Sequence, residues 1–257
     1  MTNIHRWINI LGEFTTFIAE ALLACSRLWR RRDLFLRQCE FIGVSSTGVI
    51  VVSAAFLGGV LGYQLYVTFH YFGLEAFMGG SVGVTLFREL APVMAAIMVT
   101  GRAGAAMAAE IASMRISEQI DALEIMAVDP MEYLITPRVI AGLVMLPLLS
   151  ILFGVVGTLS ANGIACGVMG LDSTVFWDQF AKFVDAIDVI HCVTKGAVFG
   201  FLLTLMGCFC GYRAEGGARA VGFATRTTVV AACLTILLSD YILTSFLPFG
   251  FARLKVT

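Results

Sequence analysis

Long apolar runs separated by short polar connections set the reading of this chain. Five runs, near 44–66, 82–103, 138–162, 190–212 and 226–249, are long enough to cross a hydrocarbon layer of ~30 Å as helices. The stretch 1–32 follows another rule. Ile4, Trp7, Ile8, Leu11, Phe14, Ile18, Ala21, Leu22 and Leu28 recur at helical spacing, with Asn9, Glu13, Glu20 and Arg27 on the other side. This predicts an amphipathic helix lying on a membrane surface, closed by the basic cluster Arg30 to Arg32.

Two connections carry periodicity of their own. In 104–135, Ile111, Met114, Ile120, Leu123 and Met126 are interleaved with charged residues, which predicts short helices. Asp129-Pro130 reads as a turn, and Thr136-Pro137 as a helix N-cap followed by proline at the first helical position. In 171–188, Phe176, Phe180, Phe183 and Ile187 share one side while Asp178 and Asp185 fall on the other, predicting an interfacial helix. Gly58 with Gly62, Gly163 with Gly167, and Gly196 with Gly200 have the spacing that lets helices approach closely.

Composition supports an all-α polytopic membrane protein. The chain of 257 residues is 59% hydrophobic and 14% charged, whereas soluble domains carry about 25% charged residues. Its net charge of −1 excludes a broad basic surface for nucleic acid. The seven cysteines have no zinc or disulfide spacing and read as small apolar fillers. No cleaved signal peptide is expected, because a basic stretch, apolar core and small-residue cleavage site do not follow in order. With the N-terminus in the cytoplasm, inside segments hold twelve arginines, among them Arg6, Arg102, Arg138 and Arg226; outside segments hold only Lys182, Arg253 and Lys255. The positive-inside rule therefore predicts a cytoplasmic N-terminus and a periplasmic C-terminus across five spans.

Four charges lie within the spans: Arg88 and Glu89 in the second, Lys195 in the fourth and Asp240 in the fifth. Counted at 1.5 Å per residue, all lie ~8–14 Å from the outer ends of their spans. Two cations and two anions at one level can compensate one another. They form either a structural salt bridge or the lining of a wet substrate cavity. Pro92 denies a hydrogen bond to the carbonyl of Arg88 and predicts irregular backbone there. Helices at 100° per residue cannot aim both Arg88 and Glu89 at one axis, so one serves the pocket and the other supports it.

Catalytic chemistry is not visible. None of the three histidines, His5, His70 and His191, has a metal-ligand companion at helical spacing, and no metal site is expected. Without a phosphate-binding glycine loop or a nucleophile elbow, the chain is not expected to be an enzyme. If ATP powers it, another chain hydrolyses the ATP. The visible alternatives are a proton-coupled secondary transporter using Glu89 and Asp240, or a scaffold that transports nothing. Five spans without an internal repeat disfavour an inverted-repeat carrier; a symmetric homodimer would enclose a larger path.

The run LFRELAPVMAAIMVTGRAGAAMAAEIASMRISEQIDALEIMAVDPMEYLITPR, residues 86–138, closely resembles the permease subunits of MlaE type, also called the YrbE family. The matching elements are Arg88-Glu89-Leu90, Pro92-Val93, Gly101 to Gly104, Glu110-Ile111, Met114, Glu118-Gln119, Met126 to Pro130 and Pro137-Arg138. Weaker similarity continues through FLGGVLGYQ at 56–64, ATRTTVV at 224–230 and SDYILT at 239–244. The family's usual Ser-Met-Glu reads Ala122-Leu123-Glu124 here.

The resemblance implies a single permease domain over 1–257 in the inner membrane of a Gram-negative bacterium. It implies a homodimer, a cytoplasmic ABC ATPase dimer, a possible STAS-domain subunit and a periplasmic MCE-domain hexamer. The substrate is phospholipid, exchanged between the inner membrane and the periplasmic carrier to keep outer-membrane asymmetry. The chain itself carries no cofactor, and ATP sits in the partner ATPase. By resemblance the lipid cavity draws on Arg88, Glu89, Lys195 and Asp240, with Gln64 and Tyr66 on its wall. Arg88 or Lys195 would meet the phosphate; Leu57, Leu61 and Leu90 would meet the tails. Within 104–135, Glu110, Arg115, Glu118, Gln119, Glu124 and Asp129 would couple the spans to the ATPase.

Overall fold

The computed structural model describes residues 12–21, 23 and 32–246. The described residues contain no strand. Helix α1 spans 12–21. Five long helices then follow, each long and apolar enough to cross a membrane: α2, Arg32–Phe72; α3, Glu75–Ile116; α5, Met131–Gly167; α7, Ala186–Tyr212; and α8, Ala218–Phe246. Two short helices connect them, α4 at Gln119–Ile125 and α6 at Ser173–Phe183. Each long helix begins before the apolar run it was read from, because helical geometry continues into the polar flanks.

Breaks in these helices have local causes. Helix α2 is interrupted at Gly43 by a 3-10 turn, Val44–Ser46. Arg102 of α3 reaches this break, donating to Ser46 Oγ at 2.9 Å and to the Phe41 carbonyl. Helix α2 ends at Gly73, whose φ of 64° is the left-handed conformation that glycine adopts without strain. Two π turns, Leu86–Leu90 and Met131–Ile135, come directly before Pro92 and Pro137. In each, the next N–H reaches back five residues, Ala91 to Leu86 and Thr136 to Met131. That shift of register accommodates a proline ring that an unbroken α-helix would clash with.

The expected N-cap at Thr136 is overturned. Helix α5 starts at Met131, and Asp129 Oδ1 accepts the N–H of Met131 at 2.9 Å. Asp129 is the capping acceptor, while Thr136 is buried inside the helix with its hydroxyl on the Met131 carbonyl at 3.0 Å.

Helix α5 lies at the centre, packed against α2, α7 and α3. Glycine sets the spacing. A Cβ on Gly58 would lie 2.2 Å from the Gly157 carbonyl oxygen, and one on Gly200 would lie 2.1 Å from that of Gly142. The pairs Gly58/Gly62 and Gly196/Gly200 are therefore consumed within the protomer, against α5. Gly163 and Gly167 face open space.

The outer connection is also corrected. Helix α6 does not include Ile187, which lies in the first turn of α7. It is docked on the start of α3, where Gly79, Gly80 and Gly83 admit Phe176, Phe183 and Phe180 so closely that no Cβ would fit. Phe176 is fully buried.

Of the predicted amphipathic helix 1–32, residues 12–21 are helical, and the segments 1–11 and 24–31 lie outside the described residues. The apolar side of α1 packs on the protein: Phe14 and Phe17 meet the ring of Phe209 edge-on at 5.1 and 5.5 Å. Glu13 pairs with Arg213 at 2.9 Å.

Candidate functional site

The π turn Leu86–Leu90 presents Arg88 and Glu89 toward α7 and α8. On α7, Asp188, His191 and Lys195 follow one another at helical spacing and are all buried. On α8, Asp240 and Thr244 stand one turn apart. These elements build two adjoining ion-pair sites.

Lys195 is the centre of the first. Its Nζ lies 2.5 Å from Glu89 Oε2, 2.8 Å from Asp240 Oδ1 and 2.7 Å from Thr244 Oγ1. An ammonium has three donors, and three oxygens surround this one. The Asp240 contact is an ion pair without hydrogen-bond alignment, and Oδ1 has no aligned donor. Thr244 also reaches toward the Glu89 carboxylate at 3.4 Å. A cation with almost no exposure is thereby compensated by two carboxylates on two other helices.

Arg88 and Asp188 form the second. The buried Asp188 accepts from Arg88 Nε–H through Oδ1 and from the Asp185 N–H at 2.9 Å through Oδ2. Asp185 and Asp188 also form a capping box at the start of α7. The carboxylate that closes the helix end thus holds the arginine of α3.

Arg88 pairs with Asp188, and Asp240 with Lys195. Four balanced charges also become five, two cations against three carboxylates. Asp188 and Thr244 were missed from the sequence. Asp188 carried a readable signal, since it sits seven residues before Lys195 on the same helical face. Thr244 carried none beyond lying one turn from Asp240.

The remaining candidates lie elsewhere or pack differently. Gln64 is exposed on α2. Tyr66 donates to the Met169 carbonyl at 3.1 Å and stacks on His70, so neither residue joins the ion pairs. Leu57, Leu61 and Leu90 are partly buried against the main apolar core. The structure thus brings together the ionic candidates and not the wall candidates. Among the described residues, no group of His, Cys, Asp and Glu could hold a metal ion.

The 104–135 connection is a hairpin with its own polar ties. Glu110 still belongs to α3 and pairs with the buried Arg138 of α5 at 2.9 Å. Arg115 bonds Asp121 at 2.6 Å and lies over the Tyr212 ring. Glu118 turns the chain with a φ of 58°, and the exposed Gln119 opens α4. Glu124 and Asp129 line a cavity of about 370 Å³ shared with Glu13, Phe17, Glu20, Phe209 and Arg213. The sequence did not reveal that α1 closes over this connection.

With this geometry in place, similarity to known proteins identifies the family. The family model described as Permease MlaE matches residues 35–246. The chain is 39% identical over 241 residues to a probable ABC transporter permease protein of Rickettsia felis, covering 93% of this chain and 92% of that one. It is 36% identical over 242 residues to the intermembrane phospholipid transport system permease protein MlaE of Haemophilus influenzae, covering 94% and 93%. It is 35% identical over 218 residues to the chloroplastic protein TRIGALACTOSYLDIACYLGLYCEROL 1 of Arabidopsis thaliana, covering 85% of this chain and 61% of that one. The long helices joined by buried ion pairs are those of a multi-pass membrane protein, and the chain belongs to the MlaE permease family.

Proposed function

We propose that this chain is the membrane-embedded subunit of an ABC transporter that moves phospholipid between the inner membrane and a periplasmic carrier. The observation that carries the reading is the Lys195–Glu89–Asp240 site. A membrane protein retains such a costly group of charges within its spans where they meet a polar cargo or a wet cavity. The Haemophilus influenzae relative, named as a permease of an intermembrane phospholipid transport system, supports the same cargo.

In this reading two copies form the unit and enclose the path between them. The ATPase is a separate cytoplasmic dimer that carries the ATP, accompanied by an MCE-domain hexamer on the periplasmic side and, where present, a STAS-domain subunit. The N-terminus and the hairpin of 104–135 face the cytoplasm, and the C-terminus faces the periplasm. Glu118, Gln119 and Glu124 are exposed at the hairpin, where an ATPase groove would engage them. Glu110 and Arg138 link α3 to α5 just above, giving that engagement a route into the spans. The proton-coupled alternative has no support among the relatives, of which the Rickettsia felis protein is named a probable ABC transporter permease.

The test is lipid transfer from proteoliposomes holding the purified transporter. ATP-dependent appearance of labelled phospholipid on an acceptor is expected. Transfer driven by a proton gradient without ATP would overturn the reading.

A further inference from the structure

We propose that the ion-pair site is built to receive the ammonium end of a lipid headgroup, and so favours a zwitterionic aminophospholipid over a net-anionic one. The inference rests on the phospholipid permease reading and adds the chemistry of the cargo.

Exposure decides which group a headgroup meets. The Glu89 side chain is 39% exposed, against 2% for Lys195, 0% for Asp188, 23% for Arg88 and 21% for Asp240. The most accessible charge is therefore a carboxylate, and the Lys195 ammonium is sealed behind it. Three protein oxygens already surround the Lys195 ammonium. A lipid phosphate cannot reach that cation without displacing Glu89 or Asp240.

The balance of charge points the same way. Arg88 and Lys195 face Glu89, Asp188 and Asp240, leaving one negative charge in excess. A net-anionic headgroup entering a low-dielectric site of excess negative charge is repelled. An ammonium is attracted and donates to the exposed Glu89 carboxylate. The Arg88 side chain, one residue along, is 23% exposed beside its contact with Asp188, and takes the phosphate of the same zwitterion.

Two measurements test this. The full chain is placed in nanodiscs with equal phosphatidylethanolamine and phosphatidylglycerol of matched acyl chains, and lipids retained after mild delipidation are counted by native mass spectrometry. Wild type should retain phosphatidylethanolamine by about fivefold over phosphatidylglycerol, the scale of one partly screened ion pair. Glu89→Gln should bring the ratio toward unity, and Glu89→Asp should keep part of it. A wild-type ratio at unity or favouring phosphatidylglycerol overturns the proposal without any variant, as does an unchanged preference in folded Glu89→Gln. The second measurement is ATP-dependent transfer of each lipid by the reconstituted transporter. Equal rates for both lipids overturn the headgroup inference and leave the permease reading standing. Absence of ATP-dependent transfer of either lipid overturns both.

Discussion

Lys195 Nζ on α7 lies 2.5 Å from Glu89 Oε2 on α3, although the two residues are 106 positions apart in the chain. The contact joins the π turn ahead of Pro92 to the middle of a different span. It makes the polar site a product of helix packing, and it makes the partners interdependent.

Removing Lys195 should be more damaging than removing any one of its anions. Lys195→Met leaves Glu89 and Asp240 uncompensated, and breaking a buried pair in this way costs about 3–5 kcal/mol. Thermal unfolding in detergent should show a large drop. Adding Glu89→Gln and Asp240→Asn to Lys195→Met should recover much of it. A triple variant no more stable than Lys195→Met would contradict the network.

Asp188 should behave as a structural anchor. Asp188→Ala removes the partner of Arg88 and half of the α7 capping box. Loss of a cap alone costs about 1 kcal/mol, and an orphaned arginine adds to it. Thermal stability should fall further in Asp188→Ala than in Glu89→Gln, while lipid transfer should fall further per folded molecule in Glu89→Leu. Normal transfer in Glu89→Leu would reduce the ion pairs to a purely structural network.

Glycine substitutions should separate packed from open positions. Gly58→Val forces a side chain onto the Gly157 backbone, which cannot retreat as a flexible side chain would. A cost of about 1–3 kcal/mol or more is expected, with loss of folded protein. A Cβ on Gly163 would meet nothing within 4 Å in the protomer, so Gly163→Val should leave its folding unchanged. Equal folded yields for the two variants would refute the close approach of α2 and α5.

Charge reversal at the hairpin should uncouple the transporter. In Glu118→Lys with Glu124→Lys, both changed residues are exposed, so the protein should remain in the membrane. ATP hydrolysis should continue while lipid transfer falls by about tenfold, within the usual range of coupling energies. Crosslinks from these positions to a periplasmic subunit would invert both orientation and role.

Much of the architecture was legible in the chain itself. Twenty-residue apolar runs leave the backbone only one way to satisfy its hydrogen bonds in a bilayer, so the five long helices and the all-α class follow from composition and length. The expected disturbance at Pro92 follows from a missing N–H. The charges of Arg88, Glu89, Lys195 and Asp240 stood out because ionised groups are costly in apolar surroundings.

Pairing was decided only by tertiary structure. Depth placed four charges at one level, but depth does not say which faces of which helices meet. Rotation and close approach determine that, and they depend on glycines such as Gly142, Gly157 and Gly200. Arg88 therefore found Asp188 rather than Asp240, and the balance of the site shifted to a net carboxylate. The same limit hid the docking of α6 on Gly79, Gly80 and Gly83 and the closure of α1 over Glu124 and Asp129. Periodicity marks the apolar side of a helix because burial acts on each residue separately. Which neighbour covers that side depends on the joint packing of segments distant in the chain, and no local pattern encodes it.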